Sequence, residues 1–187
     1  MLSLPAKTTA LVLIDLQKGI VAMPAAPHTT DVVVEKGKEL AKAFRKAGAP
    51  VILVNVGFSK DWGDALHLPV DQPLTAEGMP ADWTDLVEGL QEPSDLTITK
   101  RHWNAFYGTE LDLQLRRRGI RTIVLGGIST NIGVESTARA AHEHGYAVIF
   151  AEDATSAHSD HMHNFAYEHI FPRLGRVVKA ADIELTP

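Results

Sequence analysis

Three positions in this sequence carry the residue types that acid–base chemistry needs. Asp15 is the first charged residue after the apolar run Ala10–Ile14, and Lys100 follows another short apolar run. The segment Gly126–Gly133 places two adjacent glycines and small polar residues between a predicted strand and a predicted helix. A carboxyl group can transfer a proton, an ammonium group can stabilise negative charge, and the backbone N–H groups at a helix start favour an anion.

Each candidate also has a purely structural interpretation. Asp15 could cap its strand or accept a hydrogen bond from the backbone, and the pattern alone does not separate that role from catalysis. Lys100 belongs to a Lys-Arg-His cluster, for which a solvated charge is the simpler interpretation. The Gly126–Gly133 turn is more specific, although it could be an ordinary strand-to-helix connection in which Gly133 allows close helix packing.

Short apolar runs alternate with segments of helical period, which predicts an α/β fold. Runs without polar alternation are typical of strands that are covered on both faces. The predicted strands are Thr9–Asp15, Pro50–Val56, Leu96–Thr99, Thr122–Leu125, Ala147–Ala151 and Val177–Val178. The predicted helices are Val32–Ala47, Thr109–Arg118, Asn131–His144 and His161–Phe171. Right-handed crossovers between these elements predict a mostly parallel six-stranded sheet with helices on both faces, in a single domain spanning residues 1–187.

The carboxyl ends of parallel strands meet at one edge of a sheet, so we expect Asp15, Lys100 and the Gly126–Gly133 turn to converge there. The segment 57–92 is rich in proline and glycine and predicts a long irregular excursion. Segments of this kind in compact domains are usually lids or binding loops, or are disordered. Its two tryptophans, Trp62 and Trp83, predict a lid or, preferably, a subunit interface.

Composition limits the classes of partner and of chemistry. The chain has 18 basic and 23 acidic residues and a formal charge of −5, which disfavours nucleic acid or an anionic membrane as partner. It contains no cysteine, which excludes disulfides, a thiolate nucleophile and cysteine-ligated zinc. No apolar run has the length of a membrane span, and the N-terminal residues lack the pattern of a signal peptide. We therefore expect a soluble, cytoplasmic protein that acts on a small molecule.

Three motifs in this order resemble the isochorismatase-like hydrolase superfamily. They are ALVLIDLQ at 10–17, KRHWNAFYGT at 100–109 and TIVLGGISTNIGVESTA at 122–138. The resemblance extends over nearly the full length and is strongest to the YecD-like branch of uncharacterised bacterial members. It implies a three-layer αβα sandwich of Rossmann-like type, and a site built from an Asp, a Lys and a Cys.

Asp15 and Lys100 match the first two positions of this site, whereas Gly133 stands where most members have the nucleophilic Cys. True isochorismatases also have Gly there, and they cleave a vinyl ether by protonation at carbon and addition of water. The resemblance therefore implies acid-assisted, vinyl-ether-type hydrolysis, because glycine cannot attack a carbonyl. We assign Asp15 as the general acid, which requires burial to raise its pKa against the influence of Lys100. Lys100 is expected to hold a substrate carboxylate, and the absent side chain at Gly133 to leave room for substrate or water.

The same turn and its surroundings provide the expected substrate contacts. The resemblance implies a cis peptide bond at Ile128–Ser129. Isochorismatases carry a substrate-orienting Gln near the position of Gly57, so isochorismate itself is not the expected substrate. Trp103 and Phe106 either line the pocket or belong to the core. The expected substrate-binding residues are Ile128, Ser129, Thr130, Ile132, Trp103, Phe106 and Gly57.

No metal or other cofactor is expected. His158, His161 and His163 are interpreted as solvated surface residues, since the histidines of nicotinamidase-like metal sites have no counterpart in residues 57–65. The resemblance implies a homo-oligomer. Two other functions stay open: a catalytically silent small-molecule-binding protein, and an amidohydrolase that uses activated water in place of Cys.

Overall fold

The computed structural model describes residues 1–187, which form a parallel six-stranded sheet and a separate strand pair. The strands are β1 (Leu2–Pro5), β2 (Thr9–Ile14), β3 (Val51–Val56), β4 (Leu96–Lys100), β5 (Thr122–Ile128), β6 (Ala147–Ser156), β7 (Gly175–Val178) and β8 (Ile183–Thr186). The large sheet has the order β4-β3-β2-β5-β6-β7, and all of its neighbouring strands pair in parallel. The predicted α/β class and six-stranded sheet are confirmed.

The helices flank this sheet. They are α1 (Lys18–Val21), α2 (Thr30–Lys46), α3 (Leu111–Arg117), α4 (Glu135–Glu143), α5 (Asp160–Phe165) and α6 (Phe171–Leu174). A π-helical turn, Thr130–Val134, leads into α4, and a second one, Ala166–Ile170, joins α5 to α6. No helix is both long enough and apolar enough to cross a membrane.

The two faces of the central strand β2 contribute to different cores, which explains its uninterrupted apolar sequence. Ala10, Val12 and Ile14 pack in a cluster with residues of α3, α4 and α6. Leu11 and Leu13 point to the opposite face and pack in a cluster with residues of α2. Because side chains alternate along a strand, a strand covered by helices on both faces has no polar positions. The result is the predicted three-layer αβα arrangement.

The structure differs from the sequence-based expectation mainly at the ends of elements. β5 and β6 extend further than predicted, and their pairing shifts register, with Leu125 opposite Phe150 but Gly127 opposite Thr155. The bulge produced by this shift contains Glu152. The predicted last helix is divided by a π-helical turn. β1 and β8 were missed because each is short and pairs only with a strand from the other end of the chain.

Candidate active site

Asp15 and Lys100 form a buried ion pair at the carboxyl edge of the sheet. Lys100 Nζ donates a hydrogen bond of 2.7 Å to Asp15 Oδ2. Asp15 is 5% exposed and Lys100 is 2% exposed. The other carboxylate oxygen, Asp15 Oδ1, is buried and has no hydrogen-bond partner. This oxygen is therefore the polar atom of the pair that is left for a substrate or a water molecule.

The strand order explains how two residues 85 positions apart meet. Asp15 follows β2, Lys100 ends β4, and β3 lies between these strands. Adjacent strands are about 4.8 Å apart, so the Lys100 and Asp15 side chains together span about 10 Å over the end of β3. The Asp15 backbone has a positive φ of 53°, which directs the chain out of β2 immediately after its last apolar residue. Asp adopts this left-handed conformation more readily than most residues.

Burial dominates the electrostatics of Asp15. Removal of its carboxylate from water raises the pKa of Asp15 to about 6, although the charge and the hydrogen bond of Lys100 both act to lower it. Desolvation disfavours the charged form of an acid, and an adjacent cation favours it. The direction is the one that a general acid requires. Asp15 can exchange a proton close to neutral pH while Lys100 stabilises the carboxylate that remains.

The turn after β5 packs directly against Asp15 because Gly127 has no side chain. Gly127 has a φ of 117°, and a Cβ at this position would lie 2.0 Å from the Ile14 carbonyl oxygen. The next residues contain the expected cis peptide bond between Ile128 and Ser129, which is confirmed. Ser129 and Thr130 are both buried. The second glycine of the pair thus brings β5 and its turn against the end of β2.

Gly133 lies beside the ion pair, but the space around it is closely packed. A Cβ at this position would lie 3.2 Å from Asp15 Oδ2, 3.6 Å from the Trp103 carbonyl oxygen and 2.9 Å from Ile14 Cγ2. The last distance is shorter than a carbon–carbon contact allows. The expectation that the absent side chain leaves open room is therefore wrong at the Cβ position itself, because the branched Ile14 side chain already fills it.

The expected substrate-binding residues divide into two groups. Ile128 is the last residue of β5, and Ser129, Thr130 and Ile132 lie in the turn that follows it, at the edge that carries Asp15. Phe106 belongs to the apolar core, where its ring packs near Tyr146. Trp103 is 64% exposed, and its backbone carbonyl, not its ring, approaches Gly133. A Cβ at Gly57 would contact Thr84 and Thr99, so that position faces these two methyl groups.

Sequence reasoning missed the role of Gln17, the last residue of the first motif. Its side chain is fully buried. Gln17 Nε2 donates to the carbonyl oxygens of Val56 and Trp83 at 3.0 and 3.1 Å, and Val56 N donates to Gln17 Oε1 at 2.8 Å. These bonds attach the segment 57–92 to the end of β3. The available signal was an amide side chain two positions after Asp15, within the first motif.

The histidine-rich segment is only partly at the surface. His158 and His161 are exposed, as expected. His163 is buried, 1% exposed, and its Nδ1 lies 2.9 Å from Thr130 Oγ1. The interpretation of His163 as a solvated residue is therefore wrong. It failed because His163 lies on the side of α5 that faces the turn after β5, and nothing in the local sequence indicates which side is covered.

Comparison with known proteins covers nearly the whole chain. The family model described as the isochorismatase domain matches residues 9–182. The chain belongs to the isochorismatase family. Members of this family are hydrolases, and the predicted resemblance is confirmed.

Three relatives illustrate the range of this family. The uncharacterized isochorismatase family protein YecD of Escherichia coli O157:H7 is 55% identical over 184 residues, which cover 98% of each chain. An isochorismatase family protein from Burkholderia thailandensis has a TM-score of 0.91 at 48% identity, covering 95% of this chain and 94% of that one. The ureidoacrylate amidohydrolase RutB of Methylorubrum extorquens is 32% identical over 177 residues, covering 80% of this chain and 70% of that protein.

Proposed function

We propose that this isochorismatase-family hydrolase cleaves an enol (vinyl) ether of a small carboxylated metabolite, with Asp15 as general acid. The observation that carries the proposal is the buried pair itself. Asp15 has a pKa of about 6, an oxygen without a partner, and an ammonium group 2.7 Å from its other oxygen. Gly133 offers no nucleophile, and protonation at carbon needs none.

The reaction balances with these groups. The Asp15 proton moves to the methylene carbon of the enol ether, and the electron pair of the double bond forms the new C–H bond. Water adds to the resulting oxocarbenium ion, and the hemiketal collapses to a keto acid and an alcohol. The proton lost by the added water returns to Asp15. Lys100 stabilises the Asp15 carboxylate in the interval and attracts the carboxylate of the substrate.

An amidohydrolase that activates water is the second candidate. It is supported by the 32% identity to a ureidoacrylate amidohydrolase. In this reaction Asp15 acts as a base, and the unpartnered Oδ1 atom accepts a proton from water. The same pair of residues thus supports opposite proton transfers, which need opposite protonation states of Asp15.

The proposal includes a cytoplasmic homo-oligomer that needs no cofactor for this reaction. The exposed rings of Trp103 and Tyr107 support self-association, since aromatic residues are enriched at subunit interfaces. The single-domain organisation and the absence of a nucleic-acid partner, as expected from the sequence, belong to the same proposal.

The decisive experiment is hydrolysis of simple enolpyruvyl ethers in D2O. Protonation at carbon incorporates one deuteron into the methyl group of the pyruvate released, which NMR detects. We expect turnover with this label, loss of turnover in Asp15→Asn, and retained turnover in the exposed control Asp85→Asn. Turnover of N-carbamoyl amides alone would support the amidohydrolase, and tight binding of small acids without turnover would support the silent binding protein.

A further inference from the structure

A second cluster of titratable side chains lies outside the Asp15–Lys100 pair. His28 precedes α2, Glu152 lies in the bulge of β6, and His163 lies in α5. One ligand atom from each residue lies within 4.8 Å of the other two. The proposed reaction uses none of these three side chains.

The spacing of the cluster matches a metal coordination polyhedron. His28 Nε2 lies 3.0 Å from Glu152 Oε1, and His163 Nε2 lies 3.3 Å from the same oxygen. In a tetrahedral site with bonds of about 2.0–2.1 Å, neighbouring ligand atoms are about 3.3 Å apart. Two of the three distances between ligand atoms are therefore within about 0.3 Å of the length that a tetrahedral site needs.

Both sides of this cluster have the outer contacts that orient metal ligands. Lys179 Nζ hydrogen-bonds Glu152 Oε2, which leaves Oε1 as the oxygen directed at the two imidazoles. Thr130 Oγ1 lies 2.9 Å from His163 Nδ1, so the ring presents Nε2 to the cluster. Ligating histidines almost always bond through their second ring nitrogen in this way.

Hydrogen bonds fix the backbone of the segment that carries His28 without a metal. Ala26 and Ala157 exchange backbone hydrogen bonds of 2.8 and 3.1 Å. Ser156 Oγ donates to the His28 carbonyl oxygen at 2.7 Å. The side chains of His28 and Glu152 are 24% and 18% exposed, whereas that of His163 is 1% exposed. The cluster is therefore preformed and reachable from solvent on one side.

We propose that His28, Glu152 and His163 bind a divalent transition-metal ion of the zinc class, with water in the remaining position. Two imidazoles and one carboxylate are a ligand set that Zn²⁺ uses, and imidazole also suits Co²⁺ and Ni²⁺. The bound metal ion takes the place of the two imidazole N–H hydrogens that point at Glu152 Oε1 when no metal is bound.

The His163 proton then resides on Nδ1, where Thr130 Oγ1 accepts it. Without metal, the same Thr130 hydroxyl donates to a neutral His163 whose Nε2 carries the hydrogen. Metal binding thus reverses the direction of the Thr130 hydrogen bond, within the turn that follows the Ile128–Ser129 peptide. The cluster is a metal site that fixes the hydroxyl orientation of that turn.

The experiment uses Co²⁺ as a spectroscopic probe on protein stripped with EDTA. We expect one equivalent of Co²⁺ to produce a visible ligand-field band, which Zn²⁺ then removes by competition. His28→Ala and Glu152→Gln should weaken binding more than about 100-fold, and Thr130→Val about 10-fold, as for the loss of an outer-shell contact. His161→Ala removes an exposed histidine two positions from His163 and is the matched control, with unchanged affinity.

A wild-type protein without the band would overturn the proposal, as would full affinity in His28→Ala and Glu152→Gln. Anomalous scattering from crystals of the wild-type protein soaked in Zn²⁺ gives a test that needs no variant. A peak among the three side chains supports the site, and a peak confined to His158 or His161 refutes it. These readouts measure binding, so they are independent of the reaction proposed for Asp15.

Discussion

Lys100 Nζ reaches Asp15 Oδ2 at 2.7 Å across the end of a strand that contributes neither residue. The pair is buried, and this burial raises the pKa of Asp15 to about 6. The ammonium group limits this rise, because it stabilises the carboxylate form. Proton exchange near neutral pH is the direct consequence of these two opposing effects.

The pH dependence of catalysis distinguishes the two proposed reactions. A general acid is active when protonated, so kcat/KM for an enol ether should be constant below about pH 6 and fall tenfold per pH unit above it. A general base is active when ionised and predicts the opposite slope. Initial rates between pH 5 and 9 measure this pH dependence of kcat/KM. A value that rises with pH through the Asp15 pKa would contradict the acid role.

Replacing both members of the pair should abolish activity but cost less stability than the loss of Lys100 alone. Asp15→Asn with Lys100→Met removes both buried charges at similar volume, so no carboxylate is left buried without its cation, as it is in Lys100→Met at pH 8. Urea unfolding measures the change in the free energy of unfolding. The exposed pair Lys36 and Glu39, changed to Met and Gln, is the control and should show no measurable effect. A double variant less stable at pH 8 than Lys100→Met alone would contradict this expectation.

Lys100→Met alone should destabilise the protein, and more strongly at high pH. The folded pKa of Asp15 is above its ordinary value of 3.8, so the folded state binds the proton more tightly than the unfolded chain does. The free energy of unfolding therefore falls as pH rises from 3.8 to about 6. Loss of Lys100 raises the Asp15 pKa further, so the free energy of unfolding continues to fall above pH 6. We expect a loss of about 3–5 kcal/mol at pH 8 and a smaller one at pH 5, where Asp15 is neutral. Equal losses at both pH values would contradict the burial of an ionised Asp15.

A side chain at Gly133 should strain the contact with Ile14. Gly133→Ala places a Cβ 2.9 Å from Ile14 Cγ2 and is expected to cost about 1–3 kcal/mol through overpacking. Ile14→Leu removes the branch at Cβ, so the cost of Gly133→Ala should shrink in that background. A double-mutant cycle in urea measures this coupling. Additive effects would show that the glycine is not confined by Ile14.

Loss of the Gln17 amide should loosen the segment 57–92. Gln17→Leu leaves Val56 N–H and the carbonyls of Val56 and Trp83 without their partner, at a cost of at least about 2 kcal/mol. Limited proteolysis should show faster cleavage within the segment. Gln114→Leu, at a half-buried position of α3 outside the segment, is the control. Unchanged proteolysis in Gln17→Leu would mean that other contacts hold the segment.

Local patterns predicted the central architecture because each buried strand is a continuous apolar run. The run ending at Ile14 and the glycine-rich turn after Leu125 both lie at the predicted edge of the sheet. Residue type and strand-end position made Asp15 and Lys100 candidates, and the family resemblance indicated that they belong to one site. What local patterns cannot show is which strands become neighbours, and therefore that Lys100 must cross β3.

The missed features all depend on contacts distant in sequence. β1 pairs with β8 only because the fold brings both ends of the chain together. The bulge in β6 presents Glu152 to His28, more than a hundred positions away. The close packing at Gly133 depends on the side chain of Ile14. The alternation of side chains along β2 predicts which face of the sheet Ile14 points to, but not which residue it contacts. Contacts between residues that are distant in sequence produce no periodic pattern in the sequence.

Most residues of the segment 57–92 are exposed, and it is joined to the sheet through a few bonds such as those of Gln17 and Asn55. Loops of this kind vary in sequence more freely than the elements that carry them. We therefore expect that the segment 57–92 can be replaced by the corresponding segment of a relative, provided that Trp83 and Thr84 are kept at the attachment points. Asp15 and Lys100 should then keep their positions. If Asp15 is the proton donor, as proposed, the part of the protein that supplies the acid and the part that is free to vary are separate segments of the chain.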